Sequence, residues 1–249
     1  MKRTFLWLFI LAFTIPHSFA QIKFGVKMGL TATNVNMKAA TNLQDLELPT
    51  ARSINYDGGI VLEYNIMGDL LSLRSGLDFT QKGFNVDLNQ IKQKFNDIKE
   101  ISGDWKAKFQ YLQMPVNLVY HIGNFNINAG PYLAYGLGGK EIQDLKVILN
   151  DNSVQNINQS YDLKPVFGSI QEDLSNAGDS LLIQYFNGLD YGINLGFGFN
   201  IKQVLVNVEY QQGLANITPD LANEPNFKPS DLLAKHNVLS LELTYFFQK

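Results

Sequence analysis

Leu189-Asp190-Tyr191-Gly192-Ile193-Asn194-Leu195-Gly196-Phe197-Gly198-Phe199-Asn200 is the stretch that decides the fold. Each odd-numbered residue is large and apolar, and each even-numbered one is Asp, Asn or Gly. A period of two places successive side chains on opposite faces of a β-strand, one apolar and one small or polar. Seven other segments repeat the pattern. They run over Ile22 to Leu30, Gly58 to Ile66, Leu70 to Thr80, Phe109 to Tyr120, Asn124 to Gly136, Val204 to Gln211 and Asn237 to Phe247. Pro115 and Pro131 fall within two of them, and each removes a ladder donor, which predicts a strand end, a bulge or weakened pairing at those points.

The connections alternate as well. Those after the second, fourth and sixth segments have about three to four residues, while those after the first, third, fifth and seventh have about 25, 28, 50 and 25. An up-and-down meander puts all short turns at one end and all long loops at the other. The sequence therefore predicts an all-β fold: an eight-stranded antiparallel up-and-down transmembrane β-barrel with four long extracellular loops.

Three features send the apolar face toward lipid rather than into a core. The polar face is rich in Gly and Asn and poor in the long Lys and Glu side chains of a water-exposed sheet. Tyr64, Tyr120, Tyr135, Tyr191, Tyr210 and Tyr245 lie on the apolar face, many near strand ends where aromatic girdles sit. The last segment is rich in aromatics, as barrel closure requires. The competing readings are a secreted lipocalin-like barrel, which would carry an apolar ligand in its cavity, and a β-sandwich.

The first twenty residues read as an address. Lys2 and Arg3 precede an apolar run from Phe5 to Ile15, and Ser18-Phe19-Ala20 supplies small residues at the cleavage site, the pattern of a secretory signal peptide. The expected organisation is a signal peptide over 1–20 and one outer-membrane barrel domain over 21–249. Loss of Lys2 and Arg3 leaves 18 of the 20 basic residues against 23 acidic ones, which gives no electrostatic support for a nucleic-acid partner. The chain has no Cys, so disulfides, thiolate metal sites and a lipoprotein anchor are excluded.

Taken together, the chain resembles the small outer-membrane β-barrel proteins of the Bacteroidetes, the porin-like or PorT-like family. The resemblance rests on the leader, on Ile22-Lys23-Phe24-Gly25-Val26-Lys27-Met28-Gly29-Leu30, and on Leu73-Arg74-Ser75-Gly76-Leu77-Asp78-Phe79 running into Gln81-Lys82-Gly83. Tyr111-Leu112-Gln113-Met114-Pro115-Val116, Asn128-Ala129-Gly130-Pro131-Tyr132 and the final Leu-Thr-Tyr-Phe-Phe add to it. Gln248-Lys249 after the last aromatic is a departure from the family pattern. The resemblance implies a cell-surface protein of the bacterial outer membrane. It implies no reaction.

Motifs for catalysis are missing from the sequence: there is no phosphate-binding Gly loop, no His-Glu-x-x-His and no Gly-x-Ser-x-Gly. No enzyme, cofactor or metal is expected. His121 and His236 are expected at barrel rims. Asp144, Asp151, Asp162, Glu172, Asp173 and Asp179 are not at cation-loop spacing. The candidate site is instead a lumen charge network of Lys23, Lys27, Glu63, Arg74, Asp78, Asp190, Glu209 and Glu242. Eight strands enclose an interior that side chains can fill, and unpaired charge away from water is expensive. A plugged lumen held by ion pairs and amides is the expectation, with a narrow pore for small solutes or ions as its alternative.

Between Lys82 and Lys106, Phe84, Val86, Leu88, Ile91, Phe95, Ile98, Ile101 and Trp105 predict longer strands or a short amphipathic helix packed between loops. The expected partners are outer-membrane lipid and lipopolysaccharide, and an extracellular ligand or protein at the loops, met by a monomer.

Overall fold

The computed structural model describes residues 22–39, 48–94, 97–170, 185–221 and 232–247. The expected signal peptide, Glu172, Asp173, Asp179 and Gln248-Lys249 lie outside the described residues.

Each alternating segment is a strand, and most run further than the alternation does. In chain order they are β1 (Ile22–Ala39), β2 (Thr50–Met67), β3 (Leu71–Val86), α1 (Leu88–Lys94), β4 (Ile98–Ile122), β5 (Phe125–Leu149), β6 (Val154–Val166), β7 (Ser169–Ile170), β8 (Tyr185–Asn187), β9 (Leu189–Ile201), β10 (Val204–Gly213), β11 (Asp220–Leu221) and β12 (Leu232–Phe246). The main sheet has the order β4-β3-β2-β1-β12-β10-β9-β5-β6-β8, and β4 also pairs with β5, so the wall continues from one strand into the other.

The expectation of eight antiparallel strands is corrected by this order. The sheet has ten strands and is mixed: β6 pairs antiparallel with β5, and β8 pairs parallel with β6. The expected loop over 137–187 is also corrected, because β5 runs on to Leu149 and β6 returns from Val154. Lipid imposes apolar alternation only where the wall is immersed in it. Beyond that level a strand is held by backbone hydrogen bonds, which leave no periodic mark in the sequence.

Sidedness follows the alternation. Met28, Leu30, Ile60, Leu62, Leu195, Phe197, Leu241 and Leu243 are exposed, while Glu63, Asp78, Asn128, Asn194, Glu209 and Glu242 are buried. This inverts the arrangement of a soluble barrel, in which the apolar face is the hidden one. The six tyrosines expected in the girdle are all exposed.

Small residues on the inner face make room for amides. A Cβ on Gly196 would meet the Asn128 side chain at 2.7 Å, and one on Gly198 would meet Leu205 Cδ1 at 2.7 Å and the Asn126 amide at 2.8 Å. The prolines weaken pairing within strands rather than ending them. Paired positions are missing between Ser75↔Val116 and Asp78↔Gln113 in β3–β4, and between Pro115↔Tyr132 and Leu118↔Ala129 in β4–β5.

Beyond the exposed apolar belt the interior turns apolar. Val35, Phe84, Val86, Phe109, Tyr111 and Phe186 belong to one cluster that includes Ile91 of α1. The helix starts where Asp87 Oδ1 accepts the backbone N–H groups of Asn89 at 3.1 Å and Gln90 at 3.3 Å, an N-cap. Phe84, Val86, Leu88, Ile91, Ile101 and Trp105 of the spacing between Lys82 and Lys106 are thus used for packing over the barrel mouth, and Phe95 lies outside the described residues.

Candidate functional site

Strand alternation brings the charged residues onto the inner wall, where they sort into levels. At the short-turn end, Arg74 of β3 donates Nε–H to Glu63 Oε2 of β2 at 2.8 Å and sets Nη2 2.7 Å from the same oxygen. Lys23 of β1 donates to Glu63 Oε1 at 3.2 Å. These three meet because Lys23 is opposed to Glu63, and Glu63 to Arg74, in the antiparallel registers. A vestibule of about 870 Å³ opens on the turn side of this level, lined by Lys23, Glu63, Asn65, His121, Lys202 and Gln203 among others.

His121 Nε2 lies 2.8 Å from Ser72 Oγ and 3.6 Å from Glu63 Oε1. A nucleophile, base and acid in a catalytic triad need the acid on the other ring nitrogen and an accessible hydroxyl. Here both contacts fall on Nε2, and Ser72 is fully buried. The contact fixes the imidazole beside the charge pair.

At the next level Lys27 Nζ stands 2.9 Å from Asp78 Oδ2, 3.1 Å from Glu242 Oε1 and 3.7 Å from Asp57 Oδ2. One buried ammonium therefore serves three carboxylates from β2, β3 and β12. Glu209 of β10 is held by amides, accepting from Asn117 Nδ2 at 3.2 Å and Gln211 Nε2 at 3.0 Å. Asn207 links the two halves, donating to Glu242 at 3.3 Å and accepting from Asn128 at 3.0 Å. The void at this level, lined by Lys27, Arg74, Asp78, Asn117, Glu209 and Glu242 among others, measures about 20 Å³, room for one water.

Above it, Lys82 Nζ donates to Asp190 Oδ2 at 2.7 Å with both groups fully buried. The Tyr132 hydroxyl donates to the same oxygen at 3.3 Å, and the ammonium sits 4.2 Å from the centroid of the Tyr132 ring, a cation–π contact. Tyr111 OH lies 3.3 Å from His236 Nε2. The apolar cluster closes the column above, with Phe109 5.0 Å from Phe186 centroid to centroid.

All eight sequence candidates are on the inner wall. Lys23, Glu63 and Arg74 come together, as do Lys27, Asp78 and Glu242, whereas Glu209 has amide partners and Asp190 stands apart with Lys82. Sequence reasoning missed Asp57 and Lys82 as members of the network. Asp57 shares the parity of Val61 and Glu63, and Lys82 that of Arg74 and Asp78, so extending each strand by parity finds them. The rim expectation for His236 is corrected: it sits inside β12 at 1% exposure, because β12 begins at Leu232 rather than near Asn237.

Glu141 of β5 lies beyond the belt, buried, accepting from Trp105 Nε1–H at 2.8 Å and from Gln143 Nε2. Burial raises its carboxyl above the ordinary range, and the Gln143 and Trp105 hydrogen bonds recover only part of that. A carboxyl raised on folding binds its proton more tightly in the folded chain, so its cost is absent below the ordinary carboxylate range and complete above the folded value. Glu141→Gln is expected to raise the urea midpoint of unfolding at pH 8 and to leave it unchanged at pH 3.

The model of the family described as outer membrane protein beta-barrel domain matches residues 19–218. The chain belongs to this family. The outer membrane protein beta-barrel domain places the protein in the bacterial outer membrane, in contact with its lipids, as a barrel whose strands cross the bilayer. A secreted lipocalin-like carrier is thereby set aside. Among solved structures, the barrel is similar to Neisserial surface protein A at 11% identity and TM-score 0.41, covering 89% of this chain and 96% of that one. It is also similar to outer membrane protein OprG from Pseudomonas aeruginosa at 13% identity and TM-score 0.37, covering 91% and 96%. No curated protein matches the sequence. Among the described residues no cluster of His, Cys, Asp and Glu is arranged to hold a metal ion.

Proposed function

We propose that the protein is a closed surface barrel of the PorT-like type, a monomer whose lumen is a structural plug and whose extracellular hairpins meet an external ligand or protein. In this reading residues 1–20 are the removed signal peptide and residues 21–249 form the barrel. The observation that supports it most is the filled column. Charge layers occupy the interior from Glu63 to Asp190, the void among them is of water size, and an apolar cluster covers the far end. A solute path needs continuous polar volume, and the void among these layers measures only about 20 Å³.

The surface role follows from where the extra structure lies. The upper parts of β4 and β5, together with β6, extend the wall past the apolar belt on the long-loop side, and regular structure there displays side chains more rigidly than a loop would. Absence of Cys from the whole sequence gives a clean test. Cysteine placed at Lys146 of β5 is expected to react with a membrane-impermeant maleimide on intact cells, and cysteine at Lys202 in the β9–β10 turn only after the outer membrane is opened. Equal labelling of the two on intact cells would overturn the orientation, and with it the surface role of the hairpins.

A further inference from the structure

We propose that Lys108 of β4 and Lys140 of β5 form a site on the outside of the barrel wall for the phosphate of an outer-leaflet lipid. The two lysines are directly opposed in the β4–β5 register, and opposed residues of an antiparallel pair point to the same side about 5 Å apart at Cα. Ala107, Phe109 and Glu141 beside them are buried within the barrel, so the alternation sends both lysines outward. Like charges directly opposed destabilise a sheet.

No ion pair relieves these two lysines among the described residues. Lys106, one outward position above Lys108, is already paired with Asp104 at 3.3 Å. Asp162 of β6 is opposed to Lys140 on its other side but forms no ion pair with it, and neither lysine has a salt bridge or side-chain hydrogen bond among the described residues. Two unmatched ammonium groups held side by side call for an anion that both can reach.

Their height on the wall says which anion. The apolar belt ends just below them, at Leu112 of β4, 38% exposed, and Leu137 of β5, 48% exposed. Tyr135 stacks on Phe167 at 4.5 Å on the same outer surface, a flat apolar face at acyl-chain level. Lysines at that boundary reach the head-group layer while their stems stay on the apolar wall. A lipid carrying phosphates above several acyl chains, the chemistry of lipid A, matches both halves of the site. The inference rests on the reading that the long hairpins face outward.

The test uses the full-length barrel purified in detergent, with retention of added lipid read by native mass spectrometry. Wild type is expected to retain diphosphoryl lipid A about tenfold better than the Lys108→Gln/Lys140→Gln double variant. It is expected to lose the same factor when the lipid is dephosphorylated, while Lys99→Gln, further up β4, retains lipid A as wild type does. Undiminished retention by the double variant would overturn the site. Displacement of lipid A by an equal concentration of tripolyphosphate would overturn the lipid as occupant in favour of a free polyanion. A heat-modifiable gel band for each variant shows that the barrel has formed, and the cysteine labelling reports orientation separately, so failure of the surface reading is distinguishable from failure of the site.

Discussion

Lys27→Met is expected to cost the barrel about 3–5 kcal/mol, the penalty for leaving buried charge without its partner. Lys27 is the one ammonium within 4 Å of Asp57, Asp78 and Glu242 among the described residues. Its removal leaves three carboxylates from three strands without their shared cation, two of them, Asp78 and Glu242, lining a void with room for one water. Neutralising them requires uptake of protons, so the variant is expected to recover stability in acid while wild type does not. The urea midpoint of the folded gel band, measured at pH 7 and at pH 4, checks both statements. A midpoint at pH 7 equal to that of wild type would mean that the charge layer is not what holds these strands together. The same logic applies with less force to Arg74→Leu, because Lys23 still reaches Glu63 at 3.2 Å.

The second large effect concerns Lys82 and Asp190, and here the sign depends on how many partners are removed. Lys82→Leu alone leaves a fully buried carboxylate with only the Tyr132 hydroxyl among the described residues and costs about 3–5 kcal/mol. Lys82→Leu/Asp190→Leu removes both charges and replaces them with apolar volume next to the cluster that contains Phe109, Tyr111 and Phe186. Apolar replacement of a complete buried pair is often neutral or stabilising. The double variant is therefore expected to be more stable than either single one, with a coupling of about 2–3 kcal/mol in a double-mutant cycle. Additive losses would show that the two groups do not act as a pair.

How much of this was legible in the sequence depends on what each residue faces. Leu189 to Asn200 could be read because lipid on one side and packed amides on the other impose opposite demands on alternate positions. The same argument put all eight charge candidates on the inner wall. It failed where the outer face leaves lipid. Val154 to Val166 shows no apolar alternation because both its faces carry polar side chains, yet ten backbone pairings hold it to β5. Lys82 falls just outside the alternating segment because the apolar outer face ends at Phe79. The inward parity of Arg74 and Asp78 nevertheless continues through Thr80 to Lys82, all of them buried. The rim expectation for His236 fails for the same reason at the start of β12. Which base meets which acid was partly readable, since Lys23, Glu63 and Arg74 are neighbours in register. Lys82 and Asp190, 108 residues apart on strands that do not pair, required the curvature of the wall.

In the proposed function this barrel is closed from within. Single-channel recording of the purified, heat-modifiable protein in a planar bilayer tests it most directly. A plugged barrel is expected to give no discrete conductance for wild type at any applied voltage the bilayer withstands. Reproducible unitary steps that scale with the number of inserted barrels would contradict it, because ions would then be passing a column that the layers at Glu63, Lys27 and Lys82 are held to fill.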